Sequence, residues 1–159
     1  MSDLTIREDD LTDPDVIALL EQHLTEMHSH TPVESVHALD VERLRAPGVT
    51  FWSAWSGRRL AGCGALKEID PTHAEIKSMR TADDFRGQGV GTAVLAHLLD
   101  VARSRGYARV SLETGSNPPF APARRLYAQH GFADGEPFAD YVDDPWSVFM
   151  TIDLGTDAS

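Results

Sequence analysis

Apolar residues along the chain change between two periods, and the changes divide it into short strands and longer helices. "LTIRE" (4–8) alternates as a half-buried strand does. Asp13 and Pro14 then supply an N-cap and a first helical residue, and Val16, Leu20, Leu24 and Met27 recur behind them at helical spacing. That pattern fades in "HSHTPVES", and a shorter helix is expected after Asp40. "VTFWSAW" (49–55) and "RLAGCGALKEI" (59–69) read as the arms of a β-hairpin turning at Ser56-Gly57. "AEIKSMRT" (74–81) is the next strand. Val90, Val94, Leu98 and Ala102 then share a helical face that ends near Gly106. "ARVSLET" (108–114) is a strand, "APARRLYAQH" (121–130) a helix and "SVFMTIDL" (147–154) a final strand. No repeat or linker interrupts this order. It predicts one α/β domain over residues 1–154 and a disordered tail over 155–159.

Length and charge narrow what such a domain can do. A chain of 159 residues can bury roughly two-thirds of its unfolded surface, enough for a substantial core. "MSDLTIREDD" has neither a basic nor an apolar leader region, so no secretory signal is expected. No apolar run approaches the roughly 18 residues of a membrane span. Cys63 is the single cysteine, which excludes an internal disulfide and a cysteine-based zinc site and fits a reducing cytoplasm. A net charge of −11 argues against nucleic acid as partner. The basic residues nevertheless gather in the middle. Lys77 to Arg125 holds eight Lys and Arg against four Asp and Glu, while no Lys or Arg follows Arg125. An anionic ligand held in that middle segment would account for the asymmetry.

The segment contains "FRGQGVGTAV" (85–94), with Gly87, Gly89 and Gly91 behind Arg86, between a strand and a helix. A flexible turn needs no such cluster, since glycine loses more entropy on folding than any other residue. A dinucleotide loop would need glycine where Thr92 stands, and too little chain follows for two nucleotide-binding halves. A P-loop would need Gly-Lys-Ser/Thr. A cradle for phosphates remains. The open N–H groups of a helix start favour an anion, glycines let it approach, and Arg86 adds a charged donor.

Arg-x-x-Gly-x-Gly at Arg86, Gly89 and Gly91 resembles the acetyl-CoA loop of the GNAT N-acetyltransferases. "AEIKSMRT" before it and Ala-x-x-x-Tyr-x-x-x-Gly-Phe at Ala123, Tyr127, Gly131 and Phe132 strengthen the resemblance, which spans most of the chain. It implies a mixed, mostly antiparallel sheet with splayed middle strands and helices on both faces. It also implies acetyl-CoA as co-substrate and no metal. Residues 86–92 (Arg86, Gly87, Gln88, Gly89, Val90, Gly91, Thr92) would hold the pyrophosphate. Met79, Arg80 and Thr81 would meet the pantetheine arm and the thioester through their backbones. Two positions depart from the family pattern. Asp83 replaces a common proline, and Phe120 replaces an asparagine that contacts CoA; Asn117 is nearby but not equivalent.

An alkylamine is neutral in only about one molecule in 2,500 at pH 7, so its attack on a thioester needs a base. Glu75 stands where some members carry a catalytic glutamate, and Glu113 is the second choice. Tyr127 would protonate the leaving thiolate. Each has a bland alternative: a carboxylate satisfied by Lys77 or Arg80, and a partly buried aromatic on a helix. His23, His28 and His30 match no common zinc spacing and read as surface or capping residues, with His37 and His73 as secondary proton carriers. Phe138, Tyr141 and Trp146 either line the acceptor pocket or pack the sheet edge. The expected acceptor is the primary amine of a small molecule, cationic because both ends of the chain are acidic. An acyl-CoA sensor without turnover and a protein-lysine or N-terminal acetyltransferase are the alternatives, and a homodimer is left open.

Overall fold

Seven strands form one sheet in the order β1-β2-β3-β4-β5-β7-β6. The computed structural model describes residues 4–30, 41–139 and 141–155, with the side chains of 27–30 outside that description. The tail 156–159, His37, Asp140 and the side chains of Met27, His28 and His30 therefore lie outside the described residues. The strands are β1 (Leu4–Glu8), β2 (Val49–Ser56), β3 (Arg59–Asp70), β4 (His73–Thr81), β5 (Arg109–Gly115), β6 (Ala133–Asp134) and β7 (Ser147–Asp153). The helices are α1 (Pro14–His30), α2 (Val41–Leu44), α3 (Val90–Ser104) and α4 (Ala121–Gln129).

All pairings are antiparallel except β4 with β5. The apolar faces read from the sequence are the buried ones. Val90, Val94, Leu98 and Ala102 of α3 pack with Leu66, Ile76 and Leu112 on one side of the sheet. On the other side Val16 and Leu20 of α1 meet Phe51, Trp55, Cys63 and Ala65. Helices cover both faces of the sheet, and the central strands β4 and β5 turn Ala74, Ile76, Val110 and Leu112 to the core beside α3 while Glu75, Lys77, Ser111 and Glu113 alternate with them.

Two local details differ from the sequence reading. The hairpin turns at Gly57-Arg58 rather than Ser56-Gly57, because Ser56 still pairs with Arg59 and Gly57 takes the positive φ of +61°. The two-residue strand β6 was not foreseen; its "AD" carries no strand period, and only pairing with β7 defines it.

The feature that makes a site is a parting of the middle strands. β4 and β5 pair only from His73–Arg109 to Ile76–Leu112. Beyond that, β4 continues with β3 and β5 with β7. A bulge sharpens the parting: Ser78 and Met79 stand opposite Gly64 alone, and Ser78 takes a φ of +57°.

Candidate active site

A groove of about 730 Å³ runs along the opening between the parted strands. Its walls are the end of β4 (Met79, Arg80, Thr81), the loop and first turn of α3, and the start of α4 as far as Tyr127. A smaller cavity of about 100 Å³ lies deeper in the fork, against Glu75, Lys77, Ser78, Glu113 and Thr114. His23, Met79, Phe120, Ala123 and Tyr127 line both, so the two spaces share a wall.

The glycine loop divides its glycines between two tasks. Gly87 and Gly89 adopt φ of +77° and +85°, and a Cβ on either would meet nothing within 4 Å. They are there for backbone conformation, with open space in front of them. Gly89 is the N-cap of α3, and no side chain caps the helix. The first-turn N–H groups thus face the groove as donors for an anion. Gly91 has another cause: a Cβ there would press on Leu126 Cδ2 at 3.1 Å, so it admits α4. Gly91 also lines the groove, so admitting α4 does not displace the backbone role toward an anion expected of all three glycines.

Arg86 is exposed at the groove's edge, with Nη2 2.9 Å from Asp83 Oδ1 and 3.9 Å from Glu26 Oε2. Asp83, where a proline was expected, therefore positions this arginine; it also accepts a bond from Gln22. Gln88 donates to the Asp84 carbonyl, and neither it nor Asn117 lines the groove. Phe120 fills the place of the family asparagine by lying over Gly115, where a Cβ would stand 2.2 Å from its ring.

The deep cavity is built from paired charges. Glu75 is 3 % and Lys77 7 % exposed at the side chain. Lys77 Nζ donates to Glu75 Oε2 at 3.1 Å and to the Tyr141 hydroxyl at 2.7 Å. The Tyr141 hydroxyl donates to Glu75 Oε2 at 2.6 Å. Burial, followed by the nearby Glu75 carboxylate, pushes the Tyr141 phenol well above its ordinary range. Tyr141 and Phe138 also pack on Phe149, their rings 5.5 and 6.0 Å away, so this loop both reaches the cavity and packs the sheet. Glu113 is half-buried and accepts a 2.7 Å bond from Ser147 Oγ. Tyr127 is 7 % exposed, and burial pushes its phenol up to about 12, so it carries its proton at neutral pH.

His23 is the residue the sequence reading misplaced. It lies in the walls of both spaces, not on the surface. Burial, followed by the Arg80 guanidinium, pulls its imidazole down to about 4. A signal was present, since His23 continues the stripe of Val16 and Leu20 at heptad spacing. Beside it Arg80, 10 % exposed at the side chain, donates from Nη1 to Glu26 Oε2 at 2.5 Å. That contact holds the Glu26 carboxyl below its usual range. His73 bonds Ser111 Oγ at 2.7 Å and touches neither space.

An uncapped helix start facing a groove that deepens between two strands suits an anionic, thioester-bearing cofactor, and known proteins agree with that chemistry. The sequence model of the Acetyltransferase (GNAT) family matches residues 14–132. The uncharacterized N-acetyltransferase YsnE of Bacillus subtilis is 56 % identical over 92 % of this chain and 97 % of its own. The uncharacterized N-acetyltransferase YedL of Escherichia coli is 53 % identical over 94 % of each. A GNAT family acetyltransferase of Elizabethkingia anophelis, solved with acetyl-CoA bound, shares the fold. Its TM-score is 0.68 at 18 % identity, covering 97 % of this chain and 100 % of that one. With its parted strands, glycine loop and matching segments, this chain belongs to the GNAT acetyltransferase family.

Proposed function

We propose that this acyl-CoA-dependent N-acetyltransferase moves the acetyl group of acetyl-CoA to the primary amine of a small molecule, by direct attack while both are bound. The observation that carries this reading is the shared wall. The groove leads from phosphate donors at Gly87–Thr92 to a cavity with two carboxylates, and Tyr127 stands where the two spaces meet.

The amine nitrogen forms its bond to the acetyl carbon as the carbon–sulfur bond breaks. One proton must leave the amine and one must reach the sulfur. Tyr127, protonated at neutral pH, supplies the second. Glu75 and Glu113 both face the cavity, but Glu75 Oε2 already serves Lys77 and Tyr141. A base must also return its proton to solvent in each cycle, and Glu113 is the more exposed of the two. Glu113 therefore takes the amine proton, and Glu75 holds Lys77 and the Tyr141 loop in place. Backbone N–H groups at Met79 or Arg80, beside the bulge, face the acetyl oxygen as negative charge builds on it.

The test is acetyl transfer to a library of small amines, read by mass spectrometry. Tyr127→Phe and Glu113→Gln should each lower kcat by about 100-fold at pH 7. The Glu113→Gln loss should shrink as pH rises toward the amine's own pKa, because the amine then sheds its proton unaided. Full activity in Glu113→Gln would move the base to Glu75 or water. No transfer to any amine, with CoA bound, would refute the enzymatic reading.

A further inference from the structure

Three side chains along the two spaces hold buried polar atoms without a hydrogen-bond partner: Arg80 Nε and Nη2 in the groove wall, His23 Nδ1 in the shared wall and Ser78 Oγ in the wall of the deep cavity. Nothing in the acetyl-transfer chemistry above uses them. A buried donor left without a partner costs about 1–3 kcal/mol, and more when charged, so a cluster of them marks a place for a guest.

Their chemistry says what guest. Nε–H and Nη2–H form one edge of the guanidinium, and two parallel donors match the two oxygens of a carboxylate. The other end of the guanidinium is anchored, since Nη1 donates to Glu26 Oε2 at 2.5 Å. The closest competing anion is Asp83 Oδ1, 3.7 Å from Nη2 and 2.9 Å from Arg86. Arg80, Arg86, Glu26 and Asp83 together balance in charge, so the guest that fits adds no net charge of its own. An amine with a carboxylate on the same molecule is such a guest. Its ammonium end suits Glu113, and its carboxylate end suits Arg80. His23, neutral at pH 7, presents one donor and one acceptor beside them.

Resting on the acetyltransferase reading, we propose that the acceptor is a zwitterionic amino acid whose carboxylate is bound by the Nε/Nη2 edge of Arg80. This departs from the cationic amine expected from the acidic chain ends, because an acceptor that carries a carboxylate gives those ends no role in its recognition. The edge is closed to solvent, so the carboxylate enters as a wall side chain other than the anchoring Glu26 moves aside. Once inside, the pair is formed at low dielectric, where charge-assisted bonds are strongest.

The test compares α-, β- and γ-amino acids with the amines made by removing their carboxylates, all with acetyl-CoA and the full chain. The wild type should favour the carboxylate-bearing member of at least one pair by about 10- to 100-fold in kcat/KM, the scale of a bidentate charged contact. Arg80→Gln should bring that ratio to within about threefold of one. Arg80→Lys keeps the charge but loses the fork, and should leave an intermediate ratio. The lysine variant decides the matter if the glutamine variant does not fold. Equal or better use of the decarboxylated amines by the wild type overturns the inference and leaves the acetyltransferase reading standing. A preference that persists in both Arg80 variants also overturns it. Failure to acetylate any member of either set, while CoA binds, overturns the acetyltransferase reading and this inference with it.

Discussion

The two ends of the active site are built by different means. The cofactor end is local backbone: Gly87 and Gly89 with positive φ, an uncapped helix start and one arginine, all within a few residues. The acceptor end is side chains brought from afar. Tyr141 reaches Glu75 across 66 positions of sequence, and Ser147 reaches Glu113 across 34. A backbone cradle depends on conformation and tolerates change around it. A buried charge network depends on every member, and losing one leaves another stranded.

The contrast is broken most severely at Lys77. Lys77→Met would leave the Glu75 carboxylate buried without its cation, and removing one partner of such a pair costs about 3–5 kcal/mol. For a chain of this size that lowers Tm by roughly 10 °C. CoA affinity should move little, since Lys77 lies outside the groove. Restoring charge balance with Glu75→Gln in the same chain should recover much of the stability. A fall in CoA affinity as large as the fall in stability would show that the two ends are one network. Calorimetry of unfolding and of CoA binding on the same samples reads both.

The opposite outcome is expected at Gly89. A Cβ there meets nothing within 4 Å, and Asp is among the residues that best tolerate a φ of +85°. Gly89→Asp should therefore melt within a few degrees of the wild type. Its carboxylate would nevertheless sit at the helix start where phosphates belong, repelling them and blocking the N–H groups. CoA affinity should fall by at least about 100-fold, comparable to losing two charge-assisted bonds. A variant that binds CoA normally would remove the loop from the cofactor site.

The same contrast explains which features could be read along the chain. Asp13-Pro14, the stripe Val90, Val94, Leu98 and Ala102, and the loop after Arg86 announce themselves within one or two turns of chain. Period and glycine spacing are local signals, and the structure uses them locally. The bulge at Ser78 has no such mark, because serine favours neither a bulge nor a positive φ; the mismatch with Gly64 on the neighbouring strand creates it. The fate of Glu75 was open for a related reason. "EIK" offers a partner at Lys77, but Tyr141 arrives on a loop whose polar and aromatic residues follow no period. Gly91 looks like its two neighbours in sequence and also serves helix packing, which only the approach of Leu126 reveals.

His23 gives the smallest effect and the finest test, because it belongs to the acceptor end yet sits on a helix face that could be read. Burial, and then the positive charge of Arg80, lower its pKa to about 4, while Glu26 pulls weakly the other way. In the unfolded chain the imidazole titrates near 6.5. Between those values the unfolded chain holds a proton that the native one does not, so stability rises with pH across the window. The contribution is fully present above about 6.5 and is lost as pH falls toward 4. One proton sets the slope at about 1.4 kcal/mol per pH unit at most. His23→Gln has nothing to titrate there, so its stability should change less steeply from pH 6.5 to 4 than that of the wild type. Urea unfolding midpoints across that range give the comparison. Parallel curves for the two proteins would mean that His23 titrates as it would in water and does not sit neutral between Arg80 and the acceptor cavity.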